Sequence, residues 1–235
     1  MKNNVVCVIT RYREKITWLP FLLRFVDHVI IYNKGDKIIF NETEDLSKVT
    51  IIDLPNLGRI DHTIAYHITN NWENLPDKII FIPASIYMCK FKGRYLDAIL
   101  KRVGFVKERF KGFYGPRFHI VNSKFNYSIN DYQAEGNCNK NENKFVKSEY
   151  SDFQEWKNAL IDTRPMRYVS MRGMFIVCKE NIKHIDLQIY NNILTSLSVG
   201  DNIENGHFAE RIWAHLFRQY SFDKLIYSFD NIKIN

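Results

Sequence analysis

Apolar residues near the start of the chain come in short continuous runs. Val5 to Ile9 (VVCVI), His28 to Tyr32 (HVIIY), Val49 to Leu54 (VTIIDL) and Lys78 to Ile82 (KIIFI) are rich in β-branched residues and end in turn residues. All four predict strands, and the continuous run Val5 to Ile9 is the signature of one buried on both faces. Between them the period changes. A helical segment is predicted around Ile16 to Phe25, and a second helix from about Asp61 to Trp72 carries Ile64, Ala65, Ile68 and Trp72 at helical spacing. Strands alternating with helices predict an α/β domain with a largely parallel central sheet, the four runs lying side by side in it.

The middle of the chain, Gly112 to Lys147, has weaker periodicity and is rich in Asn, Gly and aromatics, with an exposed loop predicted at Gly136 to Asn141. A short helix around Tyr150 to Ile161 then precedes a strand, Arg167 to Cys178. Helices of about Ile182 to Leu197 and Gly206 to Tyr220 close the pattern. No repeat or linker-like break in composition appears, so residues 1–235 are read as one domain. No apolar run approaches the ~20 residues of a membrane span. The start, MKNNVVCVIT, lacks the apolar stretch and cleavage site of a signal peptide, which predicts a cytoplasmic protein.

Composition excludes a disordered or low-complexity chain, with 46% hydrophobic and 25% charged residues. Cys7, Cys89, Cys138 and Cys178 are widely spaced, which argues against a zinc knuckle or a disulfide scaffold. Cys7 and Cys178 fall inside apolar strands and read as small core residues rather than nucleophiles. The formal net charge of +7 favours anionic partners. Its densest stretch, Lys90 to Lys111, interleaves Lys and Arg with Phe91, Tyr95, Phe105 and Phe110. That pattern suits single-stranded nucleic acid, and equally an amphipathic helix with snorkelling charges.

Ligands of open α/β sheets bind outside the carboxyl ends of the strands. Those ends are Thr10-Arg11-Tyr12, Asn33-Lys34, Leu54-Pro55-Asn56 and Pro83-Ala84-Ser85. No phosphate loop, G-x-G-x-x-G, G-x-S-x-G or H-E-x-x-H occurs. His62 and His67 lie about 140° apart on a helix and do not make a zinc pair, whereas His62, close to Gly58-Arg59, is placed to touch a ligand. Pro55 to Arg59 joins a strand to a helix N-terminus, an arrangement suited to an anion and also to an ordinary turn with a surface arginine. Arg164 and Arg172 flank a strand and read either as diphosphate ligands or as surface charges. Glu210-Arg211 lies on a helix whose apolar face is Ile212, Trp213, Leu216 and Phe217, and spacing alone also fits a solvated pair.

Six stretches in order carry a resemblance across nearly the whole chain. They are VITRYREKITWL, IYNKG, LPNLGR with HTIAYHITNNWENLPD, IIFIP, GMFIVCKENI with YNNIL, and AERIWAHLF. In this combination the chain resembles the domain of unknown function 3431 family. That family looks like a branch of the glycosyltransferase A-type fold, a Rossmann-like mixed sheet flanked by helices that binds a nucleotide-sugar. Two departures stand out. The position after Gly58-Arg59 is Ile60, with Asp61 one step later, and the place of an Asp-x-Asp metal motif reads Ile82-Pro83-Ala84-Ser85-Ile86.

The resemblance therefore implies a glycosyltransferase that neutralises a donor diphosphate with fixed cations. A nucleotide-sugar (a UDP- or GDP-sugar) is its co-substrate, and no cofactor is obligatory, with room left for Mn²⁺ or Mg²⁺. Thr10, Arg11 and Tyr12 would line the nucleotide pocket, Tyr12 stacking on the base. Asn56, Gly58, Arg59, His62 and Arg172 would contact the donor. Glu210 would be the general base toward a glycan or protein acceptor hydroxyl, oriented by Arg211. The alternatives are a non-catalytic nucleotide- or carbohydrate-binding protein on the same fold, or a basic nucleic-acid-binding protein; nucleic acid is the less favoured partner.

Overall fold

Side chains of a strand alternate between faces, and strand β1 (Val5–Arg11) uses both. Val6 and Val8 enter one core, and Val5, Cys7 and Ile9 enter the other. The β-branched run is therefore continuous because neither face meets water. Strands β2 (His28–Asn33) and β4 (Lys78–Pro83) pair in parallel with β1 on its two sides, and β3 (Val49–Asp53) pairs in parallel with β2. The four expected strands are thus neighbours. The computed structural model describes residues 4–40, 46–87, 93, 96–101, 112–115, 117–119, 126, 128–129, 145–166, 168–217 and 226–227.

Beyond β4 the direction changes. Strand β8 (Phe175–Cys178) runs antiparallel to β4, β5 (Phe113–Tyr114) antiparallel to β8, and β9 (Ile226–Tyr227) parallel to β5. The result is a mixed seven-stranded sheet of order β3-β2-β1-β4-β8-β5-β9, four of its six pairings parallel and two antiparallel. Helices flank it. On one face the core is shared by α2 (Arg59–Asn70), α3 (Phe153–Leu160), α5 (Leu187–Leu197) and α6 (Glu204–Leu216). On the other, α1 (Leu19–Leu22) packs with Leu96, Ile99 and Leu100.

Three sequence expectations need correction. The strand expected from Arg167 to Cys178 is two strands in different sheets. Strand β7 (Tyr168–Ser170) pairs with β6 (Arg117–His119), while β8 joins the main sheet. Arg172 and Gly173 separate them with φ of 74° and 57°, left-handed conformations that turn the chain out of one sheet and into the other. The helix expected from Ile182 to Leu197 is likewise divided. Helix α4 (Lys179–Lys183) ends, and the Asp186 carboxylate starts α5 by accepting a hydrogen bond from the Gln188 amide at 2.8 Å. The segment around Ile16 to Phe25 is helical only over α1.

Among the described residues, no helix is long and apolar enough to cross a membrane. Cys7 and Cys178 are free and buried, and burial pushes the Cys7 thiol far above its ordinary pKa, as the core reading expects. Cys89, Cys138, the loop at 136–141 and most of the basic stretch 90–111 lie outside the described residues.

Candidate functional site at the carboxyl edge of the sheet

The loops after β1 and β2 are tied together by Arg11. Its guanidinium donates to the carbonyls of Glu14 (2.9 Å), Tyr12 (3.1 Å) and Asp36 (2.6 Å) and to Asn33 Oδ1 (2.6 Å), and the residue is 8% exposed. Asn33 passes the connection on to Asp53 Oδ1 at 2.9 Å. Any part Arg11 takes in a site therefore runs through the shape of these loops. Tyr12 is half-buried, with the Arg13 guanidinium 4.7 Å from its ring centroid. Thr10 belongs to the sheet face of Val6 and Val8 by alternation. Its Oγ1 is buried without a hydrogen-bond partner.

On that face, Lys34 is almost fully buried and donates to the carbonyls of Leu57 and Arg59, each at 2.5 Å. These bonds fasten the β2 loop beneath the first turn of α2. Burial pulls the Lys34 ammonium down to about 7, against the charge of Asp61, which holds it up. Asn56 donates to Asp201 at 3.1 Å, and the Gly58 amide to the Gly200 carbonyl at 2.7 Å. The Pro55 to Arg59 turn is thereby clasped by the connection between α5 and α6.

Gly58 and Arg59 both have positive φ, 50° and 56°. For arginine this is a costly conformation, and such residues gather at functional sites when the surroundings enforce them. The turn delivers the Arg59 side chain to α6, where its guanidinium donates to His207 Nε2 at 3.0 Å. Burial, then the charges of Arg59 and Arg211, lower the His207 pKa to about 3, so its ring accepts as neutral imidazole. The other left-handed pair, Arg172-Gly173, abuts the same helix start: a Cβ on Gly173 would lie 2.4 Å from Ile60 Cγ2. Two strained turns, each carrying an arginine, thus meet at the N-terminal end of α2.

Helix α6 completes the group. Residues 207, 210 and 211 share a face by their spacing of three and four. Glu210 Oε1 accepts the Arg172 amide at 2.5 Å, and Arg211 lies 3.6 Å from Glu210 Oε2 while donating to the His207 carbonyl at 2.6 Å. The Ser170 hydroxyl locks β7 to this helix, donating to the Glu210 carbonyl at 2.9 Å and accepting the Ala214 amide at 3.1 Å. Asp61, 2% exposed, accepts the indole N–H of Trp213 at 2.7 Å. Burial, and next the Glu210 charge, raise its pKa to about 7, opposed by the Trp213 hydrogen bond and Arg59.

Arg59, Glu210, Arg211 and the backbone of Arg172 therefore come together along α6. His62 sits beneath them, stacked 6.1 Å from Tyr66, with Nδ1 buried and unpartnered. Burial and the Lys34 charge hold its pKa near 4, which makes it a neutral hydrogen-bonding group. Arg164 goes elsewhere: with Lys157 and His215 it surrounds Asp162. Burial alone would raise the Asp162 pKa, but hydrogen bonds from His215, Arg164 and Lys157 pull it well below the usual range. Lys34, noted only as part of the Asn33-Lys34 strand end, His207 and the carboxyl role of Asp61 were not anticipated as site residues. The spacing of His207 from Arg211 on a helix could have found the second of these; nothing near Lys34 marks it as buried.

Among the described residues, no three His, Cys, Asp or Glu side chains group as metal ligands. No family model matches the chain, and no match is found among curated proteins. The resemblance to the domain of unknown function 3431 family rests on the quoted stretches of sequence.

Proposed function

We propose that this protein is a glycosyltransferase of that family and of the glycosyltransferase A type, moving a sugar from a UDP- or GDP-sugar to an acceptor hydroxyl. What supports the reading is that one face of α6 takes contacts from segments far apart in sequence: Glu210 meets the Arg211 guanidinium and the Arg172 backbone amide, and His207 the Arg59 guanidinium. As the donor bond breaks, negative charge grows on the leaving diphosphate, and fixed guanidinium groups stabilise it without reorganising. Glu210 takes the proton of the acceptor hydroxyl. Its side chain is 23% exposed, enough for a hydroxyl to reach, and Arg211 and the Arg172 amide hold its two oxygens in place. The end of β4, where a metal motif of this fold would stand, offers Pro83, buried Ala84 and Ser85, which do not fit a divalent cation. No step is assigned to a metal.

Two measurements test this reading. In a thermal-shift screen, a UDP- or GDP-sugar at 100 times its Kd should stabilise the protein by about 2.7 kcal/mol. The shift should survive EDTA; loss on chelation and recovery with Mn²⁺ would require a ligand set elsewhere. Arg59→Ala should then weaken donor binding by about 10-fold or more, because a charge-assisted hydrogen bond contributes about 1.5–3 kcal/mol. The variant also loses the hydrogen bond to buried His207, a cost of about 1 kcal/mol, so the melting temperature should fall by about 2–4 °C with the fold kept. Equal affinity in variant and wild type returns Arg59 to a surface charge. A steeply salt-dependent association with DNA or RNA, without any nucleotide-sugar response, would favour the nucleic-acid reading instead.

A further inference from the structure

On the face of the sheet away from α2 and α6, a row of aromatic side chains reaches the surface. Trp18, at the start of α1, has its ring 5.6 Å from that of Tyr87, in the 3₁₀ turn Ala84–Tyr87 that follows β4. Phe21 lies three residues further along α1, and its ring is 5.1 Å from that of Phe25. Trp18 and Phe25 pack on the core that holds Leu19 and Leu22, whereas Phe21 and Tyr87 are 40% and 43% exposed. Exposed cations border the row. Lys15 stands three residues before Trp18, and Arg24 three after Phe21. On the other side Gly93 lies against Tyr87, where a Cβ would be 3.0 Å from its Cδ1. The Asp97 charge acts on the Tyr87 hydroxyl, and exposed Lys101 stands one helical turn beyond it. Three cations thus surround the row against the one carboxylate of Asp97.

We propose that this row is a docking surface for an anionic membrane, lying on the bilayer without crossing it. Trp and Tyr rings combine an apolar body with a polar tip and settle at headgroup depth, while Lys and Arg beside them meet anionic headgroups. A protein partner fits less well. Lys is depleted in protein interfaces, and four partly exposed aromatic side chains offer less than the roughly 800 Å² per partner that a stable one buries. The net charge of +7 adds long-range attraction to the same kind of surface. Trp18 and Tyr87 follow β1 and β4 at the carboxyl edge of the sheet, so docking brings that edge close to the headgroups. The docking surface goes beyond the transferase reading and does not rest on it.

Co-sedimentation of the full-length protein with vesicles tests this. Vesicles of phosphatidylcholine mixed with phosphatidylserine should bind it at least about tenfold more tightly than phosphatidylcholine alone, and added salt should weaken the binding. Replacing both Lys15 and Arg24 by Ala should lower the affinity by about 25-fold, about fivefold for each cation removed. Phe21→Glu, which sets a carboxylate among anionic headgroups, should abolish binding while circular dichroism shows the fold kept. If Phe21→Glu does not fold, the double cation variant, altered only at exposed positions, still decides. Val146→Glu is the control: Val146 is exposed and bridges to Ile203 on the α6 side of the sheet, so this variant should bind as the wild type does. Equal binding to neutral and anionic vesicles, or binding untouched by the double cation variant, overturns the docking surface. So does a wild-type dimer that ignores vesicles and is split by Phe21→Glu, which gives the row to a second copy of the chain. Vesicle binding without any nucleotide-sugar response leaves the docking surface standing and overturns the transferase instead.

Discussion

Glu210→Gln should lower the rate of sugar transfer by about 10²–10⁴-fold, the usual contribution of a general base, with donor affinity changed by less than about twofold. The amide is isosteric, and its oxygen can still accept the Arg172 amide that the carboxylate accepts at 2.5 Å. The turn carrying Arg172 should therefore stay in place, and with it the surroundings of the donor. What the amide cannot do is take a proton. A steady-state assay separates the possibilities: a fall in kcat at constant KM marks the base, whereas a rise in KM at constant kcat marks a binding group. If Glu210 were merely a solvated partner of Arg211, the substitution would stay within about 0.5 kcal/mol in every property. An unchanged turnover number removes Glu210 from the chemistry and leaves a binding protein.

Strands β1 and β4 were legible because burial on both faces writes itself into sequence as a continuous apolar run, whereas β3, at the sheet edge, keeps its β-branched residues without a buried face. Val5–Arg11 and Lys78–Pro83 stand out for that reason alone. The break at Arg172-Gly173 was hidden because apolar residues flank it on both sides, and a single Gly inside such a run does not distinguish a turn from a bulge. The site was legible in its exposed parts. Arg59, Glu210 and Arg211 are types that draw attention wherever they stand. Asp61 and Lys34 were not, since a buried charge and a solvated one look alike until their partners are known. The indole of Trp213 reaches Asp61 across 152 positions of sequence. Trp213 itself reads as a core residue, and its one polar atom is what ties the core to the site.

The residue on which the site's geometry most depends carries no side chain. Gly58→Ala should destabilise the fold by about 3 kcal/mol, from two costs that add. Left-handed backbone at alanine costs about 1–2 kcal/mol, and Gly58 has φ of 50°. Overpacking a well-filled site costs a further 1–3 kcal/mol or so. The new Cβ would lie 2.7 Å from His62 Cβ, 2.7 Å from the Leu197 carbonyl oxygen and 2.8 Å from Leu197 Cβ. None of these is the loose end of a flexible side chain. Two sit on the helices α2 and α5, and the third is backbone, so relief must come from parting α2 from the end of α5. That movement would also carry Arg59 away from His207, and donor affinity should fall along with stability. Gly206→Ala is the control. A Cβ there would meet Arg59 and Ile203 no closer than 3.6 Å, in a helix with ordinary backbone, where alanine is favoured over glycine by up to about 1 kcal/mol. In thermal melts Gly206→Ala should match or exceed the wild type, while Gly58→Ala should lose about 6–12 °C. If the two variants melt together, the clasp between Gly58 and Leu197 does not hold the arginine turn, and the orientation of Arg59 must come from α6 alone.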